Sequence, residues 1–127
     1  MITNEWNERV AFSSEKEKSA CLDRWNNAVR VLTALTPHER RKHFDMSNWG
    51  QKTACGTVAC AAGFCGLDPW FRRRGLKLNV EIGSLNCDPD TFFIYGGKTI
   101  FYTSGTHGQV LKRIKRLIRR IEKIPVG

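Results

Sequence analysis

The sequence predicts an α+β fold in one small domain. Several helices should pack around a central small-residue helix, joined by a β-hairpin or three-stranded antiparallel sheet and a basic C-terminal helix. Three observations carry this. Apolar residues recur at helical spacing near both ends of the chain, Ala and Gly crowd residues 54–63, and aromatic and β-branched residues flank Gly96-Gly97. A chain of 127 residues suits a single core. It divides into a loosely ordered arm (1–13), a helical part (14–75), a β part (76–104) and the basic helix (106–124).

In the arm, Trp6 and Phe12 are candidate anchors. From Ser14 to about Leu35, the residues Cys21, Leu22, Trp25, Ala28, Val29, Leu32 and Leu35 share one arc of a helical wheel. Thr36-Pro37-His38-Glu39 reads as a capping box with proline in the first turn, opening a short helix that ends near His43 or Phe44. The loop 44–50 carries Phe44, Met46 and Trp49, which should fold back onto the core. Thr57 reads as the N-cap of a buried helix over 58–65 that ends at Gly66. Asp68-Pro69-Trp70 caps another short helix, stopped by Gly75.

Beyond Gly75, Lys77 to Ile82 is a weak strand. Thr91–Tyr95 and Lys98–Tyr102, joined by Gly96-Gly97, predict a hairpin with a type I′ turn. Phe92, Ile94, Thr99 and Phe101 would form its core face, and Phe93, Tyr95, Lys98, Ile100 and Tyr102 the other. Thr106-His107-Gly108-Gln109 is a second capping box, and its helix should run to about Ile124, before Pro125.

Hydrophobic residues at 41% and charged residues at 26% match an ordinary globular chain rather than a disordered one. No apolar run approaches the length of a membrane span. The first residues lack the basic-then-apolar pattern of a secretory signal, so the expected location is the cytoplasm. The five cysteines, Cys21, Cys55, Cys60, Cys65 and Cys87, then read as reduced thiols and not as a disulfide framework.

The formal charge of +9 is unevenly spread. Residues 112–123 hold seven Lys/Arg and one acid, Glu122, a net +6. Arg40-Arg41-Lys42 and Arg72-Arg73-Arg74 add two smaller clusters, whereas residues 1–23 are comparatively acidic. On the C-terminal helix, Val110, Leu111, Ile114, Leu117, Ile118, Ile121 and Ile124 fill one arc. Lys112, Arg113, Lys115, Arg116, Arg119, Arg120 and Lys123 fill the opposite one.

Like charges at i,i+4 oppose the helix by a few tenths of a kcal/mol per pair, roughly, and one glutamate cannot neutralise them. An external anion explains such a face better than solvation does. A membrane surface fits less well, because the core needs the apolar arc. The expected partner is a nucleic acid, or the acidic surface of a host nucleoprotein complex. Arg72, Arg73 and Arg74 would support the contact, and Tyr95, Tyr102 or Phe93 could stack on bases from an open sheet face. No helix-turn-helix, zinc-finger or RNP pattern points to sequence-specific reading.

The segment from Cys55 to Cys65 raises two alternatives. Cys55 before a helix N-terminus could be a nucleophile, or pair with Cys60 as a redox couple. Zinc could bind with His43 or His107, but the cysteine gaps are wider than a knuckle uses, and Cys60 and Cys65 would point about 140° apart on a helix. Packing is favoured: free cysteine behaves as a small buried hydrophobe. His38, His43 and His107 lie at helix ends and take structural roles. No catalytic residue, cofactor or small-molecule substrate is expected.

The stretches Phe44-Asp45-Met46-Ser47-Asn48-Trp49, Cys55-Gly56-Thr57-Val58-Ala59-Cys60-Ala61-Ala62-Gly63 and Gly66-Leu67-Asp68-Pro69-Trp70-Phe71 resemble a group of short uncharacterised proteins of bacteria and their phages. The likeness covers residues 44–75, and the basic helix lies outside it. It implies a mobile-element setting, in which small basic proteins such as anti-CRISPR inhibitors block host nucleic-acid machinery. It supplies no site residue.

Overall fold

A computed structural model of the chain describes residues 11–53 and 56–127, with the backbone alone at 51–53 and 56. Trp6, Cys55 and the first ten residues of the arm lie outside the described residues. Helix α1 (Glu15–Thr33) begins at Ser14, whose side chain accepts from the Glu17 N–H at 3.1 Å. Glu15 and Glu17 stand in its first turn, where negative charge suits the helix dipole. Cys21, Trp25, Ala28, Val31 and Leu32 are buried. Val31 widens the predicted arc because α1 packs against two helices at once.

One of those is α7 (His107–Glu122), opened by the predicted capping box of Thr106 and Gln109. Val110, Ile114, Leu117 and Ile121 are buried, and Leu111, Ile118 and Ile124 pack at the margin. The pair is antiparallel and tied at both ends. His107 Nε2–H donates to Leu32 O at 2.7 Å, joining the start of α7 to the end of α1. Lys18 Nζ donates to Glu122 O at 2.9 Å and Ile124 O at 2.7 Å, satisfying carbonyls that the last turn of α7 leaves open. Past α7 the chain returns to Phe12, which is buried and bridges Val126. The arm is anchored there, as the sequence suggests.

The second neighbour is α3 (Ala61–Cys65), every residue of which is buried. It is the small-residue helix, but shorter than predicted: its N-cap is Cys60, not Thr57. Thr57 instead lies in a short antiparallel hairpin of β1 (Gln51–Thr53) and β2 (Gly56–Val58), opposite Lys52. The chain enters that hairpin from α2 (Pro37–Lys42), which carries the predicted Thr36/Glu39 capping box. Phe44 and Met46 pack onto the core, whereas Trp49 stays 36% exposed, contrary to expectation.

Its backbone matters more than its ring. A Cβ on Gly63 would stand 1.7 Å from Trp49 O and 2.8 Å from the Ala59 Cβ. We expect Gly63→Ala to lower stability by about 2–3 kcal/mol through overpacking. A denaturant midpoint equal to wild type would contradict this close approach.

After α3, Asp68 caps α4 (Pro69–Arg73) by accepting from the Trp70 N–H at 3.0 Å, and holds Arg30 of α1 at 2.8 Å. Two-residue strands β3 (Leu78–Asn79) and β4 (Ser84–Leu85) then pair antiparallel. The larger correction follows. The predicted hairpin over 91–102 is absent, and with it most of the β part. Two short helices take its place, α5 (Pro89–Phe92) and α6 (Gly97–Phe101). Asp88-Pro89 starts α5 by the same chemistry that Asp68-Pro69 uses for α4.

A two-sided hairpin buries only one face, but Phe92, Phe93, Tyr95, Ile100 and Phe101 are all buried here. The chain manages this with a sharp reversal. Tyr95 N–H bonds Phe93 O at 2.8 Å around Ile94, whose φ is +73°. Gly96 follows at φ +86°, where a Cβ would meet Leu117 at 2.4 Å. Helix α1 holds the reversal: Cys21 Sγ donates to Phe93 O, Trp25 Nε1 to Tyr95 O at 2.7 Å, and Arg24 to Phe92 O.

Candidate nucleic-acid interface

Because α7 spends its apolar arc on α1 and the 96–101 segment, its other face can only point outward. Lys112, Lys115, Arg116, Arg119, Arg120 and Lys123 are all exposed. No carboxylate among the described residues pairs with any of them; the ion pair described is Arg30–Asp68, elsewhere on the molecule. Lys112, Lys115, Arg116 and Arg119 line a shallow groove with Gly108 and Leu111, so four cations stand side by side along the helix. Helical geometry sets the Cβ atoms of such neighbours about 5–6 Å apart, so their side chains form one continuous row of positive charge.

The structure separates the other candidates. Arg113 sits at the edge of the basic face, half-buried, and donates to Ser104 O at 2.7 Å, so it braces the loop before α7. Arg72 donates to Gly66 O and Leu78 O at 3.0 and 3.3 Å and thereby fastens α4 to β3. Arg74 lies over the Trp70 ring, 3.8 Å from its centroid, and donates to Trp70 O. Of this cluster Arg73 alone reaches outward without a structural bond among the described residues. It borders Arg30, Asp68, Pro69 and Trp70 rather than the α7 groove. The stacking residues are mostly withdrawn as well: Phe93 and Tyr95 are buried, and Tyr102 is 65% exposed.

One contribution escapes the sequence reading. Arg40 and Arg41 line a second groove with Phe44–Ser47 and Ser104–Gly108, and this groove meets the α7 groove at Gly108. The Arg40-Arg41-Lys42 cluster was visible as charge. Nothing in spacing along the chain places it beside residues more than sixty positions away.

The cysteine region carries less chemistry. Cys60 and Cys65 are buried, and burial pushes both thiols up, Cys65 well up. For Cys60 the N–H groups of Gly63 and Ala62 oppose that rise without cancelling it. Cys87 is half-buried and also raised, by burial and then by Asp88. A raised thiol pKa favours the unreactive neutral form across neutral pH, so these thiols react slowly, and the buried ones react only once exposed. Among these three, Cys87 should label first with maleimide at about pH 7, and Cys60 and Cys65 only on unfolding. Mass mapping of a labelling time course checks this, and early modification of Cys60 would contradict it.

His43 Nδ1–H donates to Thr57 O at 3.0 Å, and His107 is committed to Leu32 O, so both have structural bonds. Among the described residues no group of three His, Cys, Asp or Glu side chains could hold a metal ion. No helix among them is long and apolar enough to cross a membrane. Compared with known proteins, the chain matches no family model, no curated protein and no solved structure.

Proposed function

We propose that the chain is a non-enzymatic binding protein, encoded by a phage or mobile element. Its α7 engages nucleic acid, free or within a host nucleic-acid-processing complex, in the host cytoplasm. An inhibitor of the anti-CRISPR kind fits this description. One observation carries the reading: the basic face of α7 is exposed and unneutralised while the apolar face is consumed by the core. A helix gains nothing internally from rows of like charge. The phosphate backbone repays that cost by releasing counterions as each cation docks. Burial of Val110, Ile114, Leu117 and Ile121 also supports a polyanion over a bilayer, since an in-plane membrane helix needs that face free.

The test is titration of the full chain against labelled duplex DNA, single-stranded DNA and RNA by fluorescence anisotropy at low salt. Micromolar or tighter binding to at least one is expected. Binding to none of the three would turn the basic face toward an acidic protein surface.

A further inference from the structure

The two grooves that meet at Gly108 form one surface with a consistent charge. The α7 side offers Lys112, Lys115, Arg116 and Arg119, and the α2 side offers Arg40 and Arg41. We propose that the contact surface continues from α7 past Gly108 into this α2 groove, and that its occupant is the backbone of duplex DNA. The proposal rests on the nucleic-acid reading of α7 and names both the form of the partner and the residues that extend the site.

Three features lead there. Arg40 is held in place by a bond from its guanidinium to Thr33 O at 2.7 Å, yet its Nε is buried with no acceptor among the described residues. That buried atom cannot itself meet a phosphate, so Arg40 contributes to the groove lining as a fixed positive charge. Arg41 is exposed and makes no bond among the described residues, so its charge is available.

Second, single strands are gripped chiefly by aromatic platforms on which bases stack. Here Phe93 and Tyr95 are buried, the Trp70 ring is covered by Arg74, and the exposed rings of Trp49 and Tyr102 line neither groove. What remains is a cationic surface that grips backbone.

Third, an α-helix fits at the major groove of B-form DNA, about 12 Å wide, whereas the A-form groove of duplex RNA is deep and narrow. The cations of α7 fan over the whole outward side of the helix and can reach the strands on either side of such a groove.

The α2 groove also holds a built-in opponent. Asp45 lines it, and its carboxyl accepts from the Ser47 hydroxyl at 2.7 Å and from the Ser47 N–H at 2.9 Å. Those bonds hold it below the usual carboxylate range, so it repels phosphate at neutral pH. Asparagine can keep the same bonds through its carbonyl oxygen without the charge. This makes possible a variant that gains binding, which damage to the fold would not produce.

The experiment compares wild type, Arg41→Glu, Asp45→Asn and Lys77→Glu against one labelled duplex of about 20 base pairs over a salt series. Lys77 is exposed and borders neither groove. At about 0.1 M salt, Arg41→Glu should weaken binding about tenfold and make the log–log salt slope shallower by about 1, as loss of one phosphate contact requires. Asp45→Asn should tighten binding about two- to fivefold, and Lys77→Glu should change it less than about threefold. If Arg41→Glu and Asp45→Asn both behave like Lys77→Glu while Arg116→Glu/Arg119→Glu still loses binding, the surface ends at α7. Tighter binding to single-stranded DNA or duplex RNA overturns the assignment of the occupant. No binding of wild type to the duplex overturns this extension, and if single-stranded DNA and RNA do not bind either, the α7 reading is overturned with it.

Discussion

Arg116→Glu/Arg119→Glu is expected to lose more than about 100-fold in affinity for duplex DNA at about 0.1 M salt, while melting no lower than wild type. The two halves of this expectation come from the same geometry. Both arginines line the α7 groove, exposed and without a carboxylate partner among the described residues. Reversal removes two phosphate contacts and adds two repulsions. Within the helix it does the opposite. Lys112–Arg116, Arg116–Arg120, Lys115–Arg119 and Arg119–Lys123 are like-charge i,i+4 pairs, and each becomes an opposite-charge pair.

At a few tenths of a kcal/mol for each pair, the variant should gain about 1 kcal/mol, or a few degrees in melting temperature. A face kept only for solubility, or because basic stems shield the core rim, would show no such trade. Circular dichroism melts and anisotropy on the same samples read both halves. A variant that unfolds early, or that binds like wild type, contradicts the account.

The largest loss of stability should come from Trp25. Its ring is fully buried, 4.3 Å from the Phe93 centroid and 5.7 Å from that of Phe101, and its N–H satisfies Tyr95 O. Trp25→Ala removes the ring on which the 92–101 segment folds, and should cost about 4–5 kcal/mol, comparable to the whole stability of many small domains. Trp25→Phe separates the two contributions. It keeps an aromatic ring but leaves Tyr95 O without the indole donor, which should cost about 2 kcal/mol. Urea midpoints of the two variants check this. Equal and small losses would mean that α1 does not organise the 92–95 reversal.

How much of this could be read from sequence depended on the range of the forces involved. Signals confined to a few residues mostly carried over: the caps at Thr36, Asp68 and Thr106 form, although the one read at Thr57 does not, and α1 and α7 bury the arcs that their periodicity marks. The segment 91–102 did not carry over. Its aromatic and β-branched content and Gly96-Gly97 satisfy every local requirement of a hairpin. Only the fixed position of Trp25, Cys21 and Arg24 makes burial of both faces possible, and that is a tertiary fact.

Asp88-Pro89 was a legible warning, since the same pair starts α4 at Asp68-Pro69. The site divides in the same way. The α7 stripe is one helix and needs only a wheel. The roles of Arg72 and Arg74 as braces, and the meeting of Arg40 and Arg41 with Gly108, depend on which surfaces the core brings together.

The central claim is that α7 docks on nucleic-acid phosphates, and the salt dependence of binding tests it most directly. Affinity of the wild-type chain for duplex DNA, followed across a salt series, should give a log–log slope near −4 to −5, the value for about five neutralised phosphates. A slope near zero, or no measurable binding at the lowest salt, would contradict the claim.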